Sequence, residues 1–141
     1  MTADENGRKI LLVEDDADLR AAIAENLESN GFSVICASRG RCAGVLAQRF
    51  VPDIALVDLG LPDMDGVKLC KDLNENKLLG SVPVIVISAN VSLQHRIRSF
   101  MSGARKYLAK PFDFDELMEA IEYFMSRKAT NRGEGGEKEK S

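Results

Sequence analysis

The chain has 141 residues, of which 45% are hydrophobic and 29% are charged, and its formal net charge is −3. This size and balance are typical of one globular domain, and the slight acidity gives no electrostatic reason to expect nucleic-acid binding. No apolar run approaches the roughly 20 residues that span a bilayer, and no secretory signal opens the chain, so a cytoplasmic protein without a membrane segment is expected.

Short apolar runs alternate with segments of helical period between residues 8 and 128. The runs predict five strands, at Lys9 to Val13, Ser33 to Ala37, Ile54 to Asp58, Val82 to Ser88 and Lys106 to Ala109. The segments between and after them predict five helices, at Asp18 to Ser29, Arg41 to Phe50, Gly66 to Asn74, Ser92 to Met101 and Asp113 to Arg127. Residues 1–7 form a polar leader, and residues 129–141 form a polar tail that is expected to be disordered.

Five successive strand–helix units predict an α/β fold with a doubly wound, five-stranded parallel sheet. Right-handed crossovers favour the flavodoxin-like strand order 2-1-3-4-5. In such sheets ligands bind at the carboxyl ends of the strands, so functional side chains are expected there.

Acidic residues follow two of these strands. Glu14, Asp15 and Asp16 come directly after the first strand, and Asp58 ends the third. Carboxylates gathered at one edge of a sheet raise each other's pKa unless a cation neutralises them. Mg²⁺ is the expected cation because it prefers oxygen ligands.

Some of the acids have a simpler explanation as helix caps. Asp16 or Asp18 is expected to cap the first helix, and Asp63 and Asp65 are expected to be turn and cap residues. Capping does not explain Asp58.

A hydroxyl and an ammonium complete the predicted site. Ser88 ends the fourth strand and Lys110 follows the fifth. Together with a metal and a carboxylate they suit phosphoryl transfer, which depends on positioning and on neutralising oxygen charge. Each residue alone is weak evidence, and the isomer of the Lys110–Pro111 bond stays open.

Four stretches together resemble the receiver domains of bacterial response regulators. They are Val-Glu-Asp-Asp at 13–16, Asp58 with Leu-Pro-Asp-Met-Asp-Gly at 61–66, Ser88-Ala89, and Tyr-Leu-Ala-Lys-Pro-Phe at 107–112. The resemblance covers nearly all of residues 8–128. It implies a phosphoacceptor domain of a two-component phosphorelay that assists its own phosphorylation and is not otherwise an enzyme. The implied donor is a sensor histidine kinase or a histidine phosphotransfer protein.

The resemblance also assigns the metal ligands. Asp58 is the phosphoacceptor and a Mg²⁺ ligand. Asp15 binds the ion directly, Glu14 binds it through water, and Gly60 contributes its backbone carbonyl.

The same resemblance implies a switch. The phosphoryl group is contacted by Ser88 and Lys110, and Tyr107 moves inward when the serine hydroxyl is drawn away. The surface of the fourth helix, fifth strand and fifth helix then controls a partner protein or an output domain. A static, half-buried tyrosine is the alternative.

Several basic residues depart from the family pattern. Arg105 and Lys106 stand where charge-paired dimers often carry acids, and Arg96 and Arg98 lie nearby. A phosphorylation-dependent dimer is therefore in doubt, an acidic partner is one alternative, and a solvated charged edge is another. His95 is predicted on the fourth helix away from the site, with no role.

Three other functions are alternatives for this fold. A phosphatase with an aspartyl nucleophile normally needs a second acid two residues later, where this chain has Gly60. Flavin binding is disfavoured because acids, which repel phosphate, follow the first strand. A binding module independent of phosphorylation stays open. Gly60 and Asn90 are expected to flank the path of a hydrolytic water and to tune the lifetime of the phosphoryl group.

The three cysteines, Cys36, Cys42 and Cys70, form an odd set without C-x-x-C spacing, and each lies in an apolar segment. They are predicted to be buried free thiols rather than redox or metal-binding residues.

Overall fold

The computed structural model describes residues 8–75, 82–89 and 92–140, with side chains described as far as Arg127. In these ranges five strands alternate with five helices. The strands are β1 (Lys9–Val13), β2 (Ser33–Ala37), β3 (Ile54–Asp58), β4 (Val84–Ser88) and β5 (Ala104–Ala109). The helices are α1 (Ala17–Ser29), α2 (Gly40–Phe50), α3 (Gly66–Glu75), α4 (Leu93–Met101) and α5 (Phe114–Lys140). The predicted leader, residues 1–7, lies outside the described residues.

The strands form one parallel sheet in the order β2-β1-β3-β4-β5. The predicted flavodoxin-like order 2-1-3-4-5 is therefore confirmed. At the carboxyl end of the sheet, Val13 of β1 pairs with Val57 of β3, and Asp58 pairs with Ile87 of β4. The residues that follow β1 and β3 consequently leave the sheet side by side.

Apolar side chains cover both faces of the sheet. Because side chains alternate along a strand, Leu11 and Val13 pack on the face covered by α2 and α3, whereas Ile10 and Leu12 pack on the other. The second face is covered by α1 and α5, and β3 and β4 are buried along their whole length. Each buried Leu or Ile contributes roughly 1.5–3 kcal/mol, and together they hold the sheet edge that carries the polar residues.

Acidic side chains cap the starts of α1 and α5. The carboxylate of Asp16 accepts hydrogen bonds from the backbone N of Asp18 and Leu19, at 3.0 and 3.1 Å, so Asp16 is the cap of α1. Asp113 likewise accepts from the backbone N of Asp115 at 2.9 Å, where α5 begins.

No helix in the described part of the chain is long and apolar enough to cross a membrane.

The last helix is longer than predicted. Its backbone is helical to Lys140, beyond the predicted end at Arg127 and through the tail that was expected to be disordered. Residues 128–140 contain no proline, and their Glu and Lys favour helix, whereas Gly133, Gly135 and Gly136 disfavour it. The residue types of this segment alone therefore do not explain the length of the helix.

The prediction of three buried thiols is wrong for two of them. The cysteines are free, but Cys36 and Cys42 are exposed and only Cys70 is buried. Cys36 lies on β2, an edge strand with less cover, and Cys42 precedes the buried Ala43 on the outer side of α2.

Candidate functional site

Three acids meet where β1 and β3 end. One carboxylate oxygen from each of Glu14, Asp15 and Asp58 lies within 4.8 Å of the other two. Glu14 and Asp58 are buried, and Asp15 is exposed. The adjacent pairing of β1 and β3 brings these residues together, as the acids at the two strand ends had suggested.

Lys110 joins the two buried acids. Its Nζ lies 2.8 Å from Oε1 of Glu14 and donates to Oδ2 of Asp58 at 3.1 Å. Its backbone N donates to the carbonyl of Ser88 at 2.8 Å, which holds the ends of β4 and β5 together. The bond from Lys110 to Pro111, whose isomer the sequence left open, is cis.

The electrostatics of the cluster reflect its burial. Burial raises the pKa of Glu14 to about 6, although the nearby ammonium of Lys110 and the backbone N–H of Asp16 oppose this rise. Burial would lower the pKa of Lys110, but its pairing with Glu14 and Asp58 raises that pKa above its ordinary value. The two buried carboxylates therefore share a single ammonium among the described side chains around them.

The donor set suits a hard divalent cation. Oε1 of Glu14 is buried, and although it lies close to Nζ of Lys110 it receives no well-directed hydrogen bond among the described residues. Carboxylate oxygens are the ligands that Mg²⁺ prefers. Gly60 lies beside them, with its backbone N donating to Oδ1 of Asp58 at 3.0 Å. The residues present therefore fit Mg²⁺.

A cavity of about 330 Å³ opens next to Asp58. It is lined by Asp58, Leu59, Gly60, Ser88, Ala89, His95 and Lys110. The interpretation that His95 lies away from the site is therefore wrong. The first turn of α4 returns to the carboxyl edge of the sheet directly after the β4–α4 loop, so a residue soon after Ser88 reaches the site.

The loop after Asp58 is held by its own acids, as predicted, but one of them caps an unexpected helix. Asp63 accepts from the backbone N of Gly40 and Arg41, at 2.8 and 3.0 Å, and so caps α2. Asp65 accepts from the backbone N of Val67 at 2.9 Å and caps α3.

Tyr107 lies on β5 with 7% of its surface exposed. The guanidinium of Arg96, from α4, lies 5.3 Å from the centre of its ring. The tyrosine thus packs between the sheet and α4. Asn90, the second residue expected to flank the water path, lies outside the described residues.

The fold and the acidic site together define a receiver domain. The family model of the response regulator receiver domain matches residues 10–122, and the chain belongs to this family. It is a receiver domain of two-component response regulators, a signalling class.

Two curated regulators are among its relatives. The chain is 34% identical over 119 residues to the DNA-binding dual master transcriptional regulator RpaA of Synechocystis, covering 84% of this chain and 49% of RpaA. It is 37% identical over 119 residues to the virulence transcriptional regulatory protein PhoP of Salmonella typhimurium LT2, covering 84% of this chain and 52% of PhoP. The chain thus spans about half the length of these relatives.

Solved receiver domains match along nearly their whole length. The receiver domain of Francisella response regulator 1452 superposes with a TM-score of 0.79 at 31% identity, covering 86% of this chain and 98% of that one. The BeF3-activated receiver domain of RstA from Klebsiella pneumoniae gives a TM-score of 0.77 at 30% identity, covering 82% and 97%.

Proposed function

We propose that Asp58 accepts a phosphoryl group from a phosphohistidine in a Mg²⁺-dependent reaction. The donor is a sensor histidine kinase or a histidine phosphotransfer protein. The observation that carries the proposal is the buried carboxylate of Asp58, 3.1 Å from the ammonium of Lys110 and clustered with two further acids. A cytoplasmic location follows from this role, because two-component receivers generally work there.

The covalent step forms a bond between an Asp58 carboxylate oxygen and phosphorus. The bond between phosphorus and the donor's imidazole nitrogen breaks, and that nitrogen keeps the electron pair. Lys110 neutralises charge on the phosphoryl oxygens, and Ser88, at the cavity wall, offers a hydroxyl to one of them. The receiver therefore supplies positioning and charge for the transfer.

Mg²⁺ is the proposed cofactor. Asp15 and Asp58 would hold it directly, Glu14 would hold it through water, and the carbonyl of Gly60 would complete the ligands from the protein. When bound, the ion neutralises charge on the carboxylates and on the incoming phosphoryl oxygens.

The output surface is the face formed by α4, β5 and α5. A phosphoryl group changes the charge at Asp58, and Ser88 follows it, which leaves Tyr107 room to move. Among the elements of this face, α4 exposes the apolar side chains of Leu93 and Met101, and β5 exposes the basic Arg105. This face suits a partner protein with acidic and apolar groups better than a charge-paired dimer.

Acetyl phosphate, a small phosphodonor, tests the proposal directly. With Mg²⁺, intact-protein mass spectrometry should show one added phosphoryl group, and EDTA should prevent its addition. The variant Asp58→Asn keeps the size of the side chain but lacks the nucleophile, so it should remain unmodified. Equal phosphorylation of wild type and variant would contradict the assignment, and rapid repeated turnover of a phosphomonoester would favour a phosphatase instead.

A further inference from the structure

His95 lines the cavity at Asp58 but has no part in the function proposed above. Asp58, Ser88 and Lys110 reach this cavity from the sheet, whereas His95 reaches it from the first turn of α4. The side chain of His95 is half-buried. The cavity therefore has one wall that belongs to a helix of the output face.

The imidazole ring is held by the cap of its own helix. Oγ of Ser92 accepts from the backbone N of His95 at 3.3 Å and lies 3.0 Å from Nδ1 of the ring. The same hydroxyl is within donating distance of Nδ1. A neutral ring that accepts this bond carries its proton on Nε2, and a protonated ring carries one there as well.

An N–H donor at this wall of the cavity suits an anion. Asp58 and Lys110 line the same cavity. Asp65 is nearby, but Oδ2 of its carboxylate already pairs with Arg98 at 2.9 Å. A phosphoryl group on Asp58 would add roughly one further negative charge and three acceptor oxygens to the cavity.

We propose that His95 is a phosphoryl-binding residue, which donates from Nε2 to an oxygen of the phosphoryl group on Asp58. This inference rests on the proposed function and adds a second connection between the phosphoryl group and the output face. The contact joins the phosphoryl group directly to α4, whereas the route through Ser88 and Tyr107 reaches the output face through the sheet.

Beryllofluoride with Mg²⁺ is the probe, because it mimics a phosphoryl group without covalent turnover. Its affinity is measured by calorimetry on the full chain for wild type, His95→Leu and His95→Gln. Loss of a charge-assisted hydrogen bond in His95→Leu should weaken binding about tenfold. His95→Gln keeps an N–H donor and should recover most of the affinity.

Two controls separate the possible failures. Gln94→Leu places the same apolar side chain on the exposed neighbouring position of α4 and should bind as wild type does. Asp58→Asn should not bind, and a wild type that fails to bind would overturn the proposed function itself. The proposed role of His95 is wrong if wild type binds and His95→Leu binds equally well. It is also wrong if His95→Leu and His95→Gln lose the same affinity.

Discussion

Arg98 of α4 donates to Asp65 in the loop between β3 and α3, with Nη2 2.9 Å from Oδ2. The other carboxylate oxygen of Asp65 accepts from the backbone N of Val67, so one side chain caps α3 and anchors α4. Both partners are about half exposed, with 53% and 50% of their side-chain surface accessible. The pair therefore matters more for where α4 lies than for overall stability.

Replacing Arg98 tests this anchoring. Arg98→Ala should lower the free energy of unfolding by less than about 1 kcal/mol, because exposed ion pairs contribute little. It should nevertheless speed hydrogen exchange of the amides in α4, because that helix loses its tie to the loop between β3 and α3. Arg105→Ala, which removes an exposed arginine from β5, is the control. Unchanged exchange in α4 would show that Arg98 does not anchor the helix.

Gly66, the first residue of α3, lies against the backbone of Asp58 and Leu59. A Cβ at this position would lie 2.5 Å from Cα of Leu59 and 2.9 Å from the carbonyl oxygen of Asp58. Because both are backbone atoms, Gly66→Ala should destabilise the fold by roughly 1–3 kcal/mol and displace Asp58. At Gly60 the nearest atom would be Oδ1 of Asp58 at 3.7 Å, so Gly60→Ala is the matched control. Equal denaturation midpoints for the two variants would contradict the steric argument.

The sheet and the acidic cluster were predictable because they depend on local patterns. Five apolar runs separated by helical segments specify a parallel sheet, and the strand order then brings Glu14 and Asp58 to one edge. The sequence also predicted a cap at Asp16 or Asp18, where acids stand at the start of a helical segment, and Asp16 is that cap.

Features that depend on long-range geometry were missed. Asp63 caps α2 although it lies 23 residues beyond Gly40 and 22 beyond Arg41, the residues whose N–H groups it accepts, and no local pattern encodes that contact. The placement of His95 depends on how α4 lies against the sheet. The exposure of Cys36 follows from the position of β2 at the edge, which apolar content alone does not report.

Tyrosine fluorescence should report the proposed switch. The chain has two tyrosines and no tryptophan. In the variant Tyr123→Phe, the tyrosine fluorescence therefore comes from Tyr107 alone. Tyr107 is 7% exposed and contacts Arg96, whereas Tyr123 is 55% exposed. Adding beryllofluoride and Mg²⁺ should change the emission of Tyr123→Phe, since the surroundings of Tyr107 change. Tyr107→Phe should give no change, and an unchanged signal from saturated Tyr123→Phe would favour a static tyrosine.

The cap at Asp63 should make stability depend on pH. Hydrogen bonds from the backbone N of Arg41, and next from that of Gly40, hold the pKa of Asp63 below its ordinary value despite some desolvation. The folded state therefore favours the charged form. This contribution is complete above the unfolded-state pKa near 3.8 and is lost as the pH falls through the folded-state pKa.

Thermal denaturation of Asp63→Ala tests that dependence. The variant should melt below wild type at pH 7, and the gap should close as the pH falls below 3.8. Asp72→Ala removes an exposed acid that pairs with Lys68 on α3, and its midpoint should stay near that of wild type. A gap at Asp63 that is the same at every pH would rule out the charge of the cap as its cause.

Thiol labelling distinguishes the three cysteines by their surroundings. Cys36 and Cys42 are exposed, whereas Cys70 packs in the core between α3 and the sheet, where burial raises its pKa to about 12. Because the thiolate is the reactive form, Ellman's reagent at pH 8 should label Cys36 and Cys42 in the native protein and Cys70 only after denaturation. Cys70→Ala should give the same native signal and no further rise in denaturant. Labelling of all three thiols in the native protein would mean that α3 opens readily. The loop between Asp58 and α3 would then be held less firmly than the close contacts at Gly66 indicate.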